Sequence, residues 1–312
     1  MSNAYEPGSF WTEAVAIHGS VTPRVIGQVF IFGTIALAIW VANEVTHELD
    51  FHLAVAPYEV AGAILGLFLV LRTNAGYDRW WEARKLWGGI VNQSRNLVIS
   101  GLTYGPDDPA WRSTFVRWAA AFPHVARRSL RGERELPEIA RLLGRDEAQR
   151  IANADHMPGF VALQLARLLR EGFGRDNLNA LTLLQVDRER AALIDHIGGC
   201  ERILKSPLPR AYAIKIRRFI LFFLLALPFA LLDKVGWLTP LVTMFVAYPI
   251  MALDQIGFEL QQPFSVRRVG HLPLDQITQT IEQNLLQLLK QWPGMPEHRR
   301  LPMPRGWTLS DS

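Results

Sequence analysis

The sequence predicts an all-α protein with four transmembrane helices continuous with a large helical cytosolic region. Three observations carry that fold class. The apolar residues are segregated into four stretches arranged as two close pairs. The long section between the pairs shows helical periodicity and no strand alternation. Lys and Arg gather at the outer flanks of each pair, while the connections within the pairs are acidic or neutral.

Bulk composition alone leaves a soluble two-domain protein standing. The chain has 312 residues, 49% hydrophobic and 20% charged, with a mean hydropathy of +0.10. Disorder and collagen-like repeats are excluded, and with Cys200 as the only cysteine so is a disulfide scaffold. A net charge of +4 is too weak to imply nucleic acid as a partner. The distribution removes the ambiguity. Val25–Val45 carries no charge before Glu44, and Leu53–Leu71 holds one, Glu59, near its start. Phe219–Leu232 is wholly apolar, and Val235–Leu253 follows Asp233 and Lys234. A hydrocarbon core needs about 20 apolar residues per helix, a length the third stretch reaches by running back before Arg218. Buried core helices are the alternative, but a soluble core rarely supplies two such pairs.

The flanks set the expected orientation. Arg24 precedes the first stretch, and Arg72, Arg79, Arg84 and Lys85 follow the second. Lys215, Arg217 and Arg218 precede the third, and Arg267 and Arg268 follow the fourth. The positive-inside rule then places both termini and the middle section in the cytoplasm. The opening residues lack a basic start followed by an apolar run, so no cleaved signal peptide is expected. The resulting division is 1–24 as a cytosolic segment, 25–75 as the first two spans and 76–212 as a cytosolic helical region. Residues 213–257 form the last two spans, and 258–312 a cytosolic helix and tail.

Within the middle section, Trp80, Trp87, Val91 and Val98 share one face of a helix over Asp78–Ser100. Gly105–Pro109 breaks the chain, with Asp108-Pro109 as a helix start. Trp111–Ser129, Pro137–Leu143, Phe160–Glu171 and Asn177–Leu204 are read as amphipathic helices, with Asp275–Trp292 one more after the last span. Cys200 is expected to be a small buried residue and not a nucleophile, since no His–Asp arrangement accompanies it.

The second stretch carries two patterns. Gly62 and Gly66 form a GxxxG pair, which in a span is a packing feature. Ala63, Leu67 and Leu71, four residues apart, form one stripe. Such a stripe is ordinarily a lipid-facing or packing surface; the alternative is that several copies surround an axis, making each position an apolar ring that expels water.

The residues beyond that stretch favour the alternative. Arg72, Asn74, Tyr77, Arg79, Trp80, Trp81, Glu82 and Trp87 form a dense block. It resembles the bestrophin signature in its bacterial form. Gly198–Pro209 looks like a second family block, and Glu259–Phe264 with Leu272–Asp275 a third, so the resemblance spans about Thr22 to Trp292. A juxtamembrane Trp and Arg anchor explains the first block's composition, but not three blocks in order.

The resemblance implies a homopentameric channel for monovalent ions in a bacterial inner membrane, with four spans per subunit and one axial pore lined by the second helix. It places Ala63, Leu67 and Leu71 at the pore neck and Leu181 at a cytosolic restriction. Ala63 is smaller than the family's usual neck residue, which leaves Leu67 and Leu71 as the constriction. It also implies a departure. Animal members bind calcium through an acidic cluster, whereas Ser265–His271 supplies no carboxylate here, so no calcium clasp, metal or cofactor is expected. The bacterial branch suggests cations such as Na⁺, with an anion channel as the alternative. An enzyme or a non-conducting scaffold is the other class. His47 and His52 are poorly spaced for a metal, Gly172-Phe173-Gly174 lacks the third glycine of a dinucleotide loop, and only Glu59 and Asp254 approach intramembrane charge.

Overall fold

A computed structural model describes residues 9–17, 19–46, 55–175, 180–268 and 270–292. Among these residues there are helices and turns and no strand. The chain runs as α1 (Phe10–Ala14), α2 (Thr22–Thr46), α3 (Val55–Tyr104), α4 (Pro109–Arg131), α5 (Pro137–Leu143), α6 (Arg145–Ala152), α7 (Met157–Arg175), α8 (Ala180–Lys205), α9 (Arg210–Val235), α10 (Thr239–Glu259) and α11 (Leu274–Gln291). The linker with His47 and His52, and the tail beyond Trp292, lie outside the described residues.

Among the described residues, three stretches are long and apolar enough to cross a membrane: Thr22–Val45, Ala56–Tyr104 and Arg210–Glu259. The last contains both α9 and α10, divided by a 3-10 turn at Gly236–Leu238. That turn opens with Gly236 at φ +52, a left-handed backbone that glycine adopts without a Cβ penalty. The second stretch has no break at Arg72: α3 continues for 50 residues, about 75 Å at 1.5 Å per residue.

The chain divides into two compact units, residues 1–86 with 199–273 and residues 87–198 with 274–312. In the first, α2 packs against α10 and α9. The core is Val29 and Phe32 of α2, Leu65 and Leu69 of α3, Ile220, Phe223 and Leu224 of α9, and Ala247 of α10. In the second, α4 is the central helix and packs on α5, α7 and α11. Its start is as the sequence predicts: the Asp108 side chain accepts from the Ala110 backbone N–H at 2.8 Å, with Pro109 in the first turn where its missing donor costs nothing. Ala119, Ala120, Ala121, Phe115 and Phe122 are fully buried. α5 has the predicted bounds, whereas α6 is a helix that sequence reading passed over. The Gly172–Gly174 segment lies inside α7, and Gly172 abuts the Trp111 indole, so it is a packing position and not a phosphate loop.

Candidate functional site

Leu65 and Leu69 are 1% and 2% exposed, whereas Leu67 and Leu71 on the same α3 turns are 60% and 49% exposed. Ala63 is exposed beside them. The two sets lie on opposite sides of the helix because each residue advances the side chain by about 100°. The inner set meets the α9 core, and the outer set is left uncovered by its own chain. Of the GxxxG pair, Gly62 faces Phe223, and among the described residues nothing lies within 4 Å of a Cβ placed at Gly66. The outer stripe continues along the same face through Asn74, Asp78 and Lys85, all exposed.

The signature residues mostly point elsewhere. Arg72, one residue past Leu71, is 1% exposed and forms an ion pair with Asp254 of α10. The two helices approach closely there, since a Cβ added to Gly76 would stand 2.9 Å from the Gly257 carbonyl oxygen. Arg217 of α9 joins from the other side, its Nε donating to Asp254 Oδ2 at 3.1 Å. Arg79 donates at 2.6 Å to the carbonyls of Ile203 and Ser206. These belong to the last turn of α8 and the residue after it, whose carbonyls have no helical partner. Trp80 Nε1 donates to the Gly270 carbonyl at 2.8 Å, and Tyr77, Trp80 and Trp81 stack in pairs. Glu82 pairs with Arg202 at 3.3 Å, and Trp87 is fully buried. The block is therefore chiefly a brace. Its first two arginines are consumed by structural partners, which leaves Asp78 as the first charge on the exposed stripe.

Leu181 stands in the first turn of α8 and is 71% exposed; it belongs to the other unit from the α3 stripe. Cys200 is fully buried. Burial, reinforced by Glu201 and Glu82, pushes its thiol up to about 12, so it is no nucleophile at neutral pH. Glu259 pairs with Arg24, accepts from Gln255 at 2.5 Å and faces Arg268 at 3.7 Å. Among the described residues no three His, Cys, Asp or Glu side chains gather as a metal set. Sequence reading missed the role of Asp254; its signal was a carboxylate close to the end of an apolar stretch, expensive there unless paired.

The family described as Bacterial/Fungal Bestrophin protein matches residues 1–287. The chain belongs to the bestrophin family. A voltage-dependent anion channel-forming protein of Ralstonia nicotianae is 33% identical over 277 residues, covering 88% of this chain and 90% of that one. A Synechocystis protein of the same description is 31% identical, covering 90% and 92%. The crystal structure of a bacterial bestrophin homolog from Klebsiella pneumoniae has a TM-score of 0.80 at 28% identity, covering 86% of this chain and all of that one. These relatives are described as channel and bestrophin proteins, not as enzymes, and the all-α fold is the one this bestrophin shares with the Klebsiella structure.

Proposed function

We propose that this bestrophin is one subunit of a homopentameric channel in a bacterial inner membrane, with α3 of each copy lining a single axial pore. The observation that carries the reading is the uncovered stripe of Ala63, Leu67 and Leu71, set against the buried Leu65 and Leu69 of the same helix. Five copies turn each position into an apolar ring, and rings four residues apart are stacked about 6 Å from one another. Rings of this kind gate by excluding water. Ala63 makes the outer ring wide, so Leu67 and Leu71 form the constriction, and Leu181 supplies a second restriction in the cytosol. In this reading α2, the first part of α3, α9 and α10 each cross the membrane, with both termini and residues 76–212 in the cytoplasm. The acidic position 259 is already occupied by Arg24, Gln255 and Arg268, which supports a channel with no calcium clasp.

Apolar rings do not choose the sign of the ion; neighbouring charge does. Asp78 is the first charge on the stripe after Leu71, and Arg72 and Arg79 are turned into structural pairs. That arrangement supports monovalent cations such as Na⁺. An anion channel is the second reading, favoured by the description of the relatives and by Lys85 further along the stripe. Reversal potentials of the reconstituted chain in asymmetric NaCl separate the two. The cation reading expects a reversal toward the sodium equilibrium potential and a smaller shift in Asp78→Asn. A reversal toward the chloride potential, diminished by Lys85→Gln, overturns it.

A further inference from the structure

A cleft of about 610 Å³ lies between α2, α9 and α10 in the first unit. Its walls are apolar, among them Ile31 and Phe32 of α2, Leu221 of α9 and Met251 of α10. Its polar end is formed by Arg217, Asp254 and Gln255. These groups share one level: Arg217 and Arg218 together precede the apolar run of α9, and Asp254 and Gln255 lie in the last turns of α10. The cleft therefore has the form of an acyl-chain groove that ends in a charged seat.

The charge at that seat does not balance. Asp254 is shared by Arg72 and Arg217, and Glu259 is shared by Arg24 and Arg268. These pairs tie four guanidinium groups to two carboxylates. Positive charge in excess is costly beside hydrocarbon and calls for an anion. Arg217 is the member placed to receive one. Its side chain is 51% exposed, and its hydrogen bond to Asp254 is made through Nε. Among the described residues, its Nη atoms donate to nothing else. The guanidinium is held over the Phe258 ring at 5.2 Å from the centroid, and Arg268 lies over the same ring at 4.2 Å. Stacking of this kind presents the planar fork in a set direction. Arg218, Arg267 and Lys215 add further positive charge close by in the chain.

We propose that this cleft binds an anionic phospholipid, its phosphate on the Nη atoms of Arg217 and an acyl chain between α2, α9 and α10. Basic pockets between transmembrane helices on the cytoplasmic side suit such headgroups. The inference rests on the membrane orientation given under the proposed function, and not on which ion passes or whether any does. Removal of Arg217 leaves Asp254 paired with Arg72, so the fold keeps its buried pair.

Native mass spectrometry of the delipidated full chain, incubated with phosphatidylglycerol or phosphatidylcholine, tests it. Wild type should retain phosphatidylglycerol about fivefold more than phosphatidylcholine, the occupancy equivalent of ~1 kcal/mol for one basic residue. Arg217→Gln should lose that preference, and Arg217→Lys should keep it. Leu221→Trp, which fills the apolar groove, should lower retention of both lipids. Equal retention of the two lipids by wild type overturns the proposal, as does an undiminished preference in Arg217→Gln. Displacement of the lipid by inorganic phosphate alone would mark a free-anion site and also overturn it. So would an Arg217→Gln oligomer that falls apart with its phosphatidylglycerol preference intact, because the cleft would then be seated on a second copy. The readout is a mass, so a silent bilayer with this preference preserved faults the channel reading alone.

Discussion

Replacing Glu138 by Gln should destabilise the second unit at neutral pH and much less so in acid. Glu138 opens α5, where a negative charge also complements the helix dipole. Its carboxylate accepts from Arg127 at 2.6 Å and Arg128 at 2.7 Å while 22% exposed. Burial alone would raise this carboxyl; the hydrogen bonds from Arg128 and Arg127 outweigh it and hold the group at about 2, against an ordinary 4.5. At roughly 1.4 kcal/mol per pH unit this amounts to about 3 kcal/mol. The folded state holds its proton less tightly than the unfolded state, so the stabilisation is complete above 4.5 and is lost as pH falls toward 2. For a unit of this size ~2–4 °C per kcal/mol translates to roughly 6–12 °C in melting temperature. Thermal melting of the full chain in detergent, wild type beside Glu138→Gln, should show that gap at pH 7. At a pH of about 3 the gap should shrink to less than half. Asp275 is held down chiefly by hydrogen bonds from Arg131 but shares Arg127 with Glu138, so Glu138→Gln measured in an Asp275→Asn background separates the two. An equal deficit at both pH values would refute the reasoning, because it would assign the effect to shape and not to charge.

Two further predictions follow from close packing and burial. Gly101→Ala should cost about 1–3 kcal/mol by overpacking. The added Cβ would stand within 3.0 Å of the Phe115 ring, which is fully buried and stacked on Trp111 at 4.9 Å; unchanged melting would contradict the α3–α4 contact. Cys200, with its thiol raised to about 12, should react with maleimide at pH 8 only after denaturation. Labelling of the folded chain at the rate of a free thiol would contradict its burial.

Much of this architecture is legible in the sequence because it depends on local signals. Segregated apolar stretches, the Asp108-Pro109 cap and the bounds of α5 need only neighbours in the chain. α6 gives little apolar periodicity, because Arg145-Asp146-Glu147 opens it with charge and only Ala148 and Ile151 are buried. The stripe of Ala63, Leu67 and Leu71 could be read by spacing, but its exposure could not, since Leu65 and Leu69 are equally apolar. What covers a helix face depends on a partner far away in sequence, here Phe223 and Leu224 of α9. The arginines that follow α3's apolar run look alike as a basic flank. Only the fold shows Arg72 turned onto Asp254 and Arg79 onto the end of α8, which is what leaves Asp78 on the exposed face.

The unitary current of Leu67→Ala tests the account most directly. Phe222→Ala serves as its control, Phe222 being an α9 side chain equally apolar and 67% exposed but outside the proposed neck. In planar bilayers the wild-type chain should conduct, Leu67→Ala should raise conductance or open probability, and Phe222→Ala should leave both unchanged. A wild-type current that Leu67→Ala does not alter, or that Phe222→Ala alters as much, would contradict a pore lined by the exposed face of α3.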